Sequence, residues 1–320
     1  MKTIRLHHPC HSLIKEPVIL ALGFFDGVHR GHQKLLKVAR ELAFKKDLPL
    51  AVLTFDCAPA TMHEPLDIKQ FQYLTTIAEK EKLMKYFGVD RLYIMQYTSA
   101  FYQLSPQEFV DQYVVGLGAA TVVAGFDYTF GKAQFANMGT LPQFAKGRFH
   151  IITVPEVVLG EHKISTRRLK KAITTEPIQV INTSLGYPYF NLGRVIHGKK
   201  RGRKLGFPTA NLAIASHSVL PKIGVYAVEV KVNHSLYMGM ASIGHNPTFE
   251  SGGQKTVEIN ILNFSEDIYG EELTVYWHQY LRPEEKFQGP QPLIAQMKED
   301  QKNVQSYFED QLAIYPHIDA

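Results

Sequence analysis

The spacing of hydrophobic residues changes character near the middle of the chain. In the first half, Val18-Ile-Leu-Ala-Leu-Gly23 and Leu50-Ala-Val-Leu-Thr54 are unbroken apolar runs, the pattern of strands buried on both faces of a parallel sheet. Between them, Leu35, Leu36, Ala39, Leu42 and Ala43 recur at helical spacing within His32 to Lys45. A second helical pattern covers Ile77 to Phe87, followed by strands at Arg91 to Gln96, Thr121 to Ala124 and Phe149 to Val154. Ser105-Pro-Gln-Glu108 has the form of a capping box with proline at the first helical position, opening a helix to about Val115. Repeated β-α-β order predicts a parallel, Rossmann-like α/β sheet with helices on both faces.

Beyond about Lys171 the period becomes two. Val225 to Val232 and much of Thr256 to Phe264 alternate, and Tyr237 to Ile243 and Leu273 to Tyr280 are further strands. Strands in series without intervening helices predict an antiparallel sheet or barrel. One helical pattern, from about Pro292 to Leu312, closes the chain. The change falls near Ala172 to Leu185, giving domains over residues 1–180 and 185–320.

Length supports that division, since 320 residues at about 150 per domain make two. A hydrophobic fraction of 45% and a charged fraction of 20% belong to a globular chain. The longest apolar run, Val18 to Phe25, is far short of the ~20 residues that span a bilayer. With Lys15, Glu16 and Asp26 around it, it does not follow a signal-peptide plan, so a cytoplasmic location without membrane attachment is expected. Two cysteines, Cys10 and Cys57, make neither a disulfide framework nor a CxxC zinc site. The net charge of +5 is concentrated in Lys163–Lys171 and Arg194–Lys204, which suits small anionic ligands. No recognition helix, RNP aromatic set or zinc module supports nucleic-acid binding. Gly116-Leu-Gly118 precedes a strand and lacks the third glycine of a dinucleotide site.

The first candidate site joins the first buried strand to the first helix, at Gly23-Phe24-Phe-Asp26-Gly27-Val-His29-Arg-Gly31-His32. Ligands of open α/β sheets bind at the carboxyl ends of strands, and a helix N-terminus there favours phosphate. Glycines at 23, 27 and 31 are expected to let a ligand approach the backbone. Two imidazoles three residues apart can both donate to a phosphoryl group in transit. The plainer alternatives are a chance pair in a turn, or a metal site without the carboxylates or cysteines to complete it.

This string resembles the HxGH signature of nucleotidyltransferases. The longer stretch resembles the N-terminal domain of the bacterial bifunctional riboflavin kinase/FMN adenylyltransferase (FAD synthetase) family. Thr54-Phe-Asp56, Leu74-Thr-Thr76 with Glu79-Lys80, Gly88-Val-Asp90 and Gly125-Phe-Asp127-Tyr-Thr-Phe130-Gly131 follow in family order. The resemblance implies ATP phosphates at His29 and His32, with Gly23, Phe24, Asp26 and Gly31 around the nucleotide. It puts Asp127 and Phe130 at the flavin, and makes the reaction attack of the FMN phosphate on ATP, giving FAD and pyrophosphate. Cys57-Ala58-Pro59 replaces the family's Pro-His-Pro, and Ile164-Ser165-Thr166-Arg167-Arg168-Leu169-Lys170 keeps only part of its Ser/Arg pattern. Ser165 and Arg168 remain as phosphate contacts, while Lys170 in place of arginine is not an equivalent exchange.

The second candidate site is Gly206-Phe-Pro208-Thr209-Ala-Asn211, preceded by Gly198 and the basic run to Lys204. Thr209 and Asn211 are two apart and share a face if extended. A hydroxyl and an amide carbonyl suit a hard cation such as Mg²⁺. The string resembles the riboflavin kinase signature, and Gly224–Ala227, Ile243–Phe249, Val257–Leu262, Asp267–Gly270 and Leu281-Arg282 continue the likeness. It implies a six-stranded antiparallel barrel with a C-terminal helix. It also implies Mg²⁺-ATP at Thr209 and Asn211, with phosphates along Gly198, Lys204, Gly206 and Pro208, and a flavin contact at Arg282. Glu258 matches the family's general base for the ribityl hydroxyl, although a lone Glu in an alternating strand is ordinarily on the wet face. Asn260 stands where many relatives carry histidine. The expected enzyme is thus a transferase turning riboflavin, FMN and ATP into FMN, FAD, ADP and pyrophosphate. The alternative is a riboflavin kinase whose first domain only binds flavin or nucleotide.

Overall fold

The computed structural model describes residues 1–10, 16–59, 71–160, 162–198, 202, 205–245, 255–310 and 318. They form two compact units, one running through Thr166 and the other from Arg167 onward, with Gln72–Thr76 counted in the second.

The first unit contains β1 (Lys2–Leu6), β2 (Val18–Leu22), α1 (Arg30–Lys46), β3 (Leu50–Phe55), α2 (Ile77–Tyr86), β4 (Arg91–Met95), α3 (Ser99–Tyr102), α4 (Pro106–Phe109), β5 (Ala119–Gly125), α5 (Leu141–Ala145), β6 (His150–Val154), β7 (Val158–Leu159) and β8 (His162–Lys163). Six strands make one parallel sheet in the order β1-β4-β3-β2-β5-β6. Val18, Leu20 and Leu22 pack with Val110, Tyr113 and Val114 in one core cluster. The alternate residues Ile19 and Ala21 are equally buried, and α1 packs against the same strand. This two-sided burial is why β2 reads as a continuous apolar run. Both halves of the capping box form, Ser105 with Glu108. The helix then widens over Val110–Val115 into a π-helix. The apolar pattern does not announce β1, an edge strand whose Lys2, Thr3 and Arg5 are exposed.

The second unit contains α6 (Thr166–Ala172, whose first residue ends the first unit), α7 (Ile178–Leu185), β9 (Tyr189–Ile196), β10 (Ala210–Ile214), β11 (Gly224–Val232), β12 (Ser235–His245), β13 (Lys255–Ile261), β14 (Glu272–Arg282) and α8 (Pro290–Asp310). The strands close into an antiparallel barrel, β10-β13-β12-β11-β14-β9. Trp277, Tyr189 and Tyr226 fill its interior. The stretch expected to hold the domain boundary includes α7, which docks on the barrel through buried Asn182. Its amide donates to the Trp277 carbonyl at 2.8 Å and its carbonyl accepts from the Tyr189 N–H at 2.8 Å. Trp277 Nε1 in turn donates to Asn191 at 2.9 Å. Val304, Met297, Tyr307 and Phe308 of α8 pack on a cluster with Phe207, Ala227, Met240 and Leu262.

Candidate active sites

In the parallel sheet the chain runs outward from β2 through β3 to β4, then returns to β5 on the other side of β2. The strand order therefore reverses between β2 and β5, and ligands of such sheets bind at the carboxyl ends beside that reversal. The two segments leaving there are Gly23–His32 and Gly125–Gly131.

His29 is the N-cap of α1, and its Nδ1 accepts from the His32 backbone N–H at 3.4 Å. An accepting Nδ1 leaves the proton of a neutral ring on Nε2. The His32 ring stacks on it, with centroids 3.8 Å apart and planes 14° apart. Burial pushes His29 down to about 4, against the raising influence of Asp26 and Asp127. Burial, then the neighbouring His29 and Lys80, hold His32 well below the ordinary imidazole range. Both rings are neutral donors at pH 7. Two of the three glycines, Gly23 and Gly31, face rings of the protein itself. A Cβ on Gly31 would stand 3.2 Å from the His29 ring, and one on Gly23 would stand 2.9 Å from the Phe25 ring. They make room for the protein's own side chains.

Asp26 is buried, and its carbonyl accepts from Thr166 Oγ1 at 3.2 Å. Ser165 is half-buried and Arg168 exposed on α6. Lys163 of the basic run is held by Asp127 at 2.8 Å and lies over the Phe126 ring. Phe130 lines a cavity of about 490 Å³ with Phe55, Tyr97, Phe101, Phe109 and Tyr128, a size and character suited to an aromatic ligand. Exposed Asp127 is not on its wall. Burial pushes the Tyr97 hydroxyl up to about 12, so it remains a donor. Sequence reasoning missed Tyr97 and Phe101; the aromatic density from Tyr97 to Phe109 was the available signal.

In the barrel, Thr209 borders two cavities. One, of about 350 Å³, is lined by Pro208, Ala210, Ile259, Ile261, Phe264 and Tyr269. The other, of about 550 Å³, is lined by Glu258, Asn260, Ser242 and Met240 together with Arg282, Phe287 and Met297. Odd and even residues of β13 thus serve different cavities on its two faces. Asn260 donates to the Pro208 carbonyl at 2.7 Å, tying the Gly206–Thr209 segment to β13. Asn211 pairs in register with Glu258, but it opens on a third cavity of about 600 Å³. Its amide fills the space beside Gly198, where a Cβ would come within 2.1 Å of Nδ2. Of these three cavities, Thr209 lines the first two and Asn211 the third. Gly206 is exposed with φ 85°, and Lys204 lies outside the described residues. Arg282 does not project freely toward a ligand. Its guanidinium is clamped by buried Asp300 of α8, and that pairing raises its already high pKa.

Among the described residues no group of three or more His, Cys, Asp or Glu can hold a metal. The oxygen donors of Thr209 and Asn211 fit a hard cation held mainly by phosphate and water. No described helix is long and apolar enough to cross a membrane.

A histidine turn at the switch point of an α/β sheet in one unit, and a barrel with two cavities meeting at Thr209 in the other, are the architecture of a two-domain nucleotide-using transferase. Residues 11–168 match the FAD synthetase family and residues 185–308 the riboflavin kinase family. The chain is 45% identical to the bifunctional riboflavin kinase/FMN adenylyltransferase of Listeria monocytogenes, over 96% of this chain and 98% of that one. It is 38% identical to the Bacillus subtilis enzyme of that name, over 97% and 99%. A solved structure described as a macrolide-efflux protein from Streptococcus pneumoniae matches with TM-score 0.87 and 36% identity, over 95% of this chain and 99% of that one. The chain belongs to the bifunctional riboflavin kinase/FMN adenylyltransferase family. It phosphorylates riboflavin to FMN and adenylylates FMN to FAD, with ATP as co-substrate.

Proposed function

We propose that riboflavin is phosphorylated at Thr209, where the two barrel cavities meet, by residues within 185–320. The observation that carries this reading is that Thr209 lines both cavities while Glu258 lines only the larger. Nucleotide enters the cavity of Pro208 and Tyr269, with its phosphates along Gly198, Lys204 and Gly206. Flavin occupies the cavity beneath α8, which Arg282 shapes. Glu258 takes the proton of the ribityl 5′-hydroxyl as that oxygen attacks the terminal phosphorus. The accompanying cation is Mg²⁺, with Thr209 and Asn211 as its protein ligands; it neutralises phosphate charge when bound.

Adenylyl transfer belongs to residues 1–180. The neutral His29, through Nε2–H, and His32 donate to the phosphoryl oxygens of ATP as the FMN phosphate attacks the α-phosphorus and pyrophosphate leaves. Gly23, Phe24, Asp26 and Gly31 shape the turn around the nucleotide. The aromatic cavity of Phe130 takes the flavin ring, and Asp127 lies outside it. Ser165 and Arg168 serve as further phosphate contacts on resemblance alone. Two free cysteines, both partly buried, agree with a cytoplasmic enzyme.

The test is product analysis by chromatography. Glu258→Gln should stop FMN formation while sparing FAD made from added FMN, and His29→Ala should do the reverse. Loss of both activities in either variant would contradict two separate sites.

A further inference from the structure

Phe101 belongs to the wall of the aromatic cavity in the first unit, and is itself buried. Its ring meets Phe55 at 5.8 Å, Tyr97 at 5.5 Å and Phe109 at 6.1 Å between centroids. All three line the same cavity. Two further rings meet Phe101 edge-on, Tyr113 at 5.2 Å and His8 at 6.4 Å, distances at which aromatic pairs attract. Neither of these lines the cavity. They form a second layer that touches the wall without reaching the space inside.

His8 and Tyr113 also meet each other, with ring centres 6.0 Å apart. The Tyr113 hydroxyl and His8 Nδ1 are hydrogen-bonded at 2.7 Å, so one polar bond closes the three rings into a cluster. The two partners come from distant segments. His8 follows β1, whose Leu6 carbonyl accepts from the Gln96 N–H at 2.8 Å. The edge strand thereby delivers His8 beside the segment that carries Tyr97 and Phe101. Tyr113 sits in the π-helical stretch Val110–Val115, a geometry frequent at functional sites. It is 1% exposed, and a buried phenol needs a partner for its hydroxyl. Phenylalanine would fill the same space without that need. What the hydroxyl adds is a fixed tip: tethered at both ends, the ring resists tilting, and so does Phe101 packed against it.

We propose that the hydrogen-bonded pair His8–Tyr113 positions Phe101, and so sets how tightly the first unit holds FMN for adenylyl transfer. Both are positioning residues, and neither touches substrate. The proposal rests on reading the Phe130 cavity as the flavin site.

The experiment uses the full chain with ATP and Mg²⁺, and measures FAD formation over a range of FMN concentrations. Riboflavin phosphorylation by the same chain is the internal control. Tyr113→Phe keeps the ring and removes the hydroxyl, while His8→Phe keeps a ring and removes the nitrogen. Each should raise KM for FMN about fivefold, the worth of one hydrogen bond, with kcat and kinase rates little changed. The double variant should be no worse than the worse single, because both remove the same bond. An unsubstituted KM for FMN in either single overturns the proposal, and with a lowered melting temperature it marks a bond needed only for folding. Additive effects in the double variant overturn it as well, as does a fall in kcat with KM unmoved. Phe101→Leu is run alongside. If it leaves KM for FMN unchanged, the cavity reading has failed and this proposal with it. If it raises KM while the Tyr113 and His8 variants do not, the positioning proposal alone has failed.

Discussion

Arg282, at the end of β14, grips Asp300 of α8 with two guanidinium nitrogens at 2.7 to 3.1 Å. Gln296 donates to the same carboxylate at 3.0 Å, and Arg282 Nη1 donates to the Pro283 carbonyl at 3.0 Å. The pair fastens the helix over the cavity lined by Glu258, so its energetic weight falls on the shape of that cavity.

Removing Asp300 leaves the half-buried Arg282 guanidinium with only the Pro283 carbonyl among these partners. Asp300→Ala should cost about 1.5–3 kcal/mol and sharply lower FMN formation while leaving FAD formation from added FMN. Trp277, the chain's single tryptophan, lies in the barrel interior. Its fluorescence in a urea titration therefore follows this unit alone.

Gly31 gives a finer test of the histidine stack. The Cβ of Gly31→Ala would press on the His29 ring at 3.2 Å and displace it by a few tenths of an ångström. FAD formation should slow roughly tenfold, since misplacements near 1 Å cost about 10². An unchanged rate of FMN formation in the same chain checks that the fold is intact.

His29 also writes itself into the pH dependence of stability. Its folded value near 4 lies below the unfolded 6.5, so the unfolded chain binds the extra proton between those limits. Its contribution is fully present above pH 6.5 and is lost as pH falls toward 4, by about 3 kcal/mol. His29→Gln should flatten that part of the profile, as followed by circular dichroism melts of the first unit.

Asn260 gives a fourth prediction. Asn260→Ala frees the Pro208 carbonyl and should raise KM for ATP in riboflavin phosphorylation. It should also cost about 1 kcal/mol of barrel stability, read again through Trp277.

Much of this was open to reading from residues. The apolar runs of β2 and β3 announced a doubly covered parallel sheet, and alternation from Val225 announced the barrel. The His29-x-Gly31-His32 turn fell where the strand order reverses. What escaped depended on partners distant in sequence. Nothing local says that Arg282 is taken by Asp300, that Gly31 leaves room for the His29 ring, or that the Asn211 amide packs beside Gly198. β1 escaped because an edge strand buries too little to show a pattern, and α7 because its Asn182 interrupts an apolar face for reasons visible only in the barrel.

Asn182 also sets where the molecule can be cut. A chain that began at Tyr187 would keep every strand of the barrel and every kinase side chain discussed above. It would still take the Asn182 amide away from the Trp277 carbonyl and the Tyr189 N–H. Dissection of the two activities into separate polypeptides therefore succeeds only upstream of Ile178, because the helix before the barrel is a wall of it and not a tether to it.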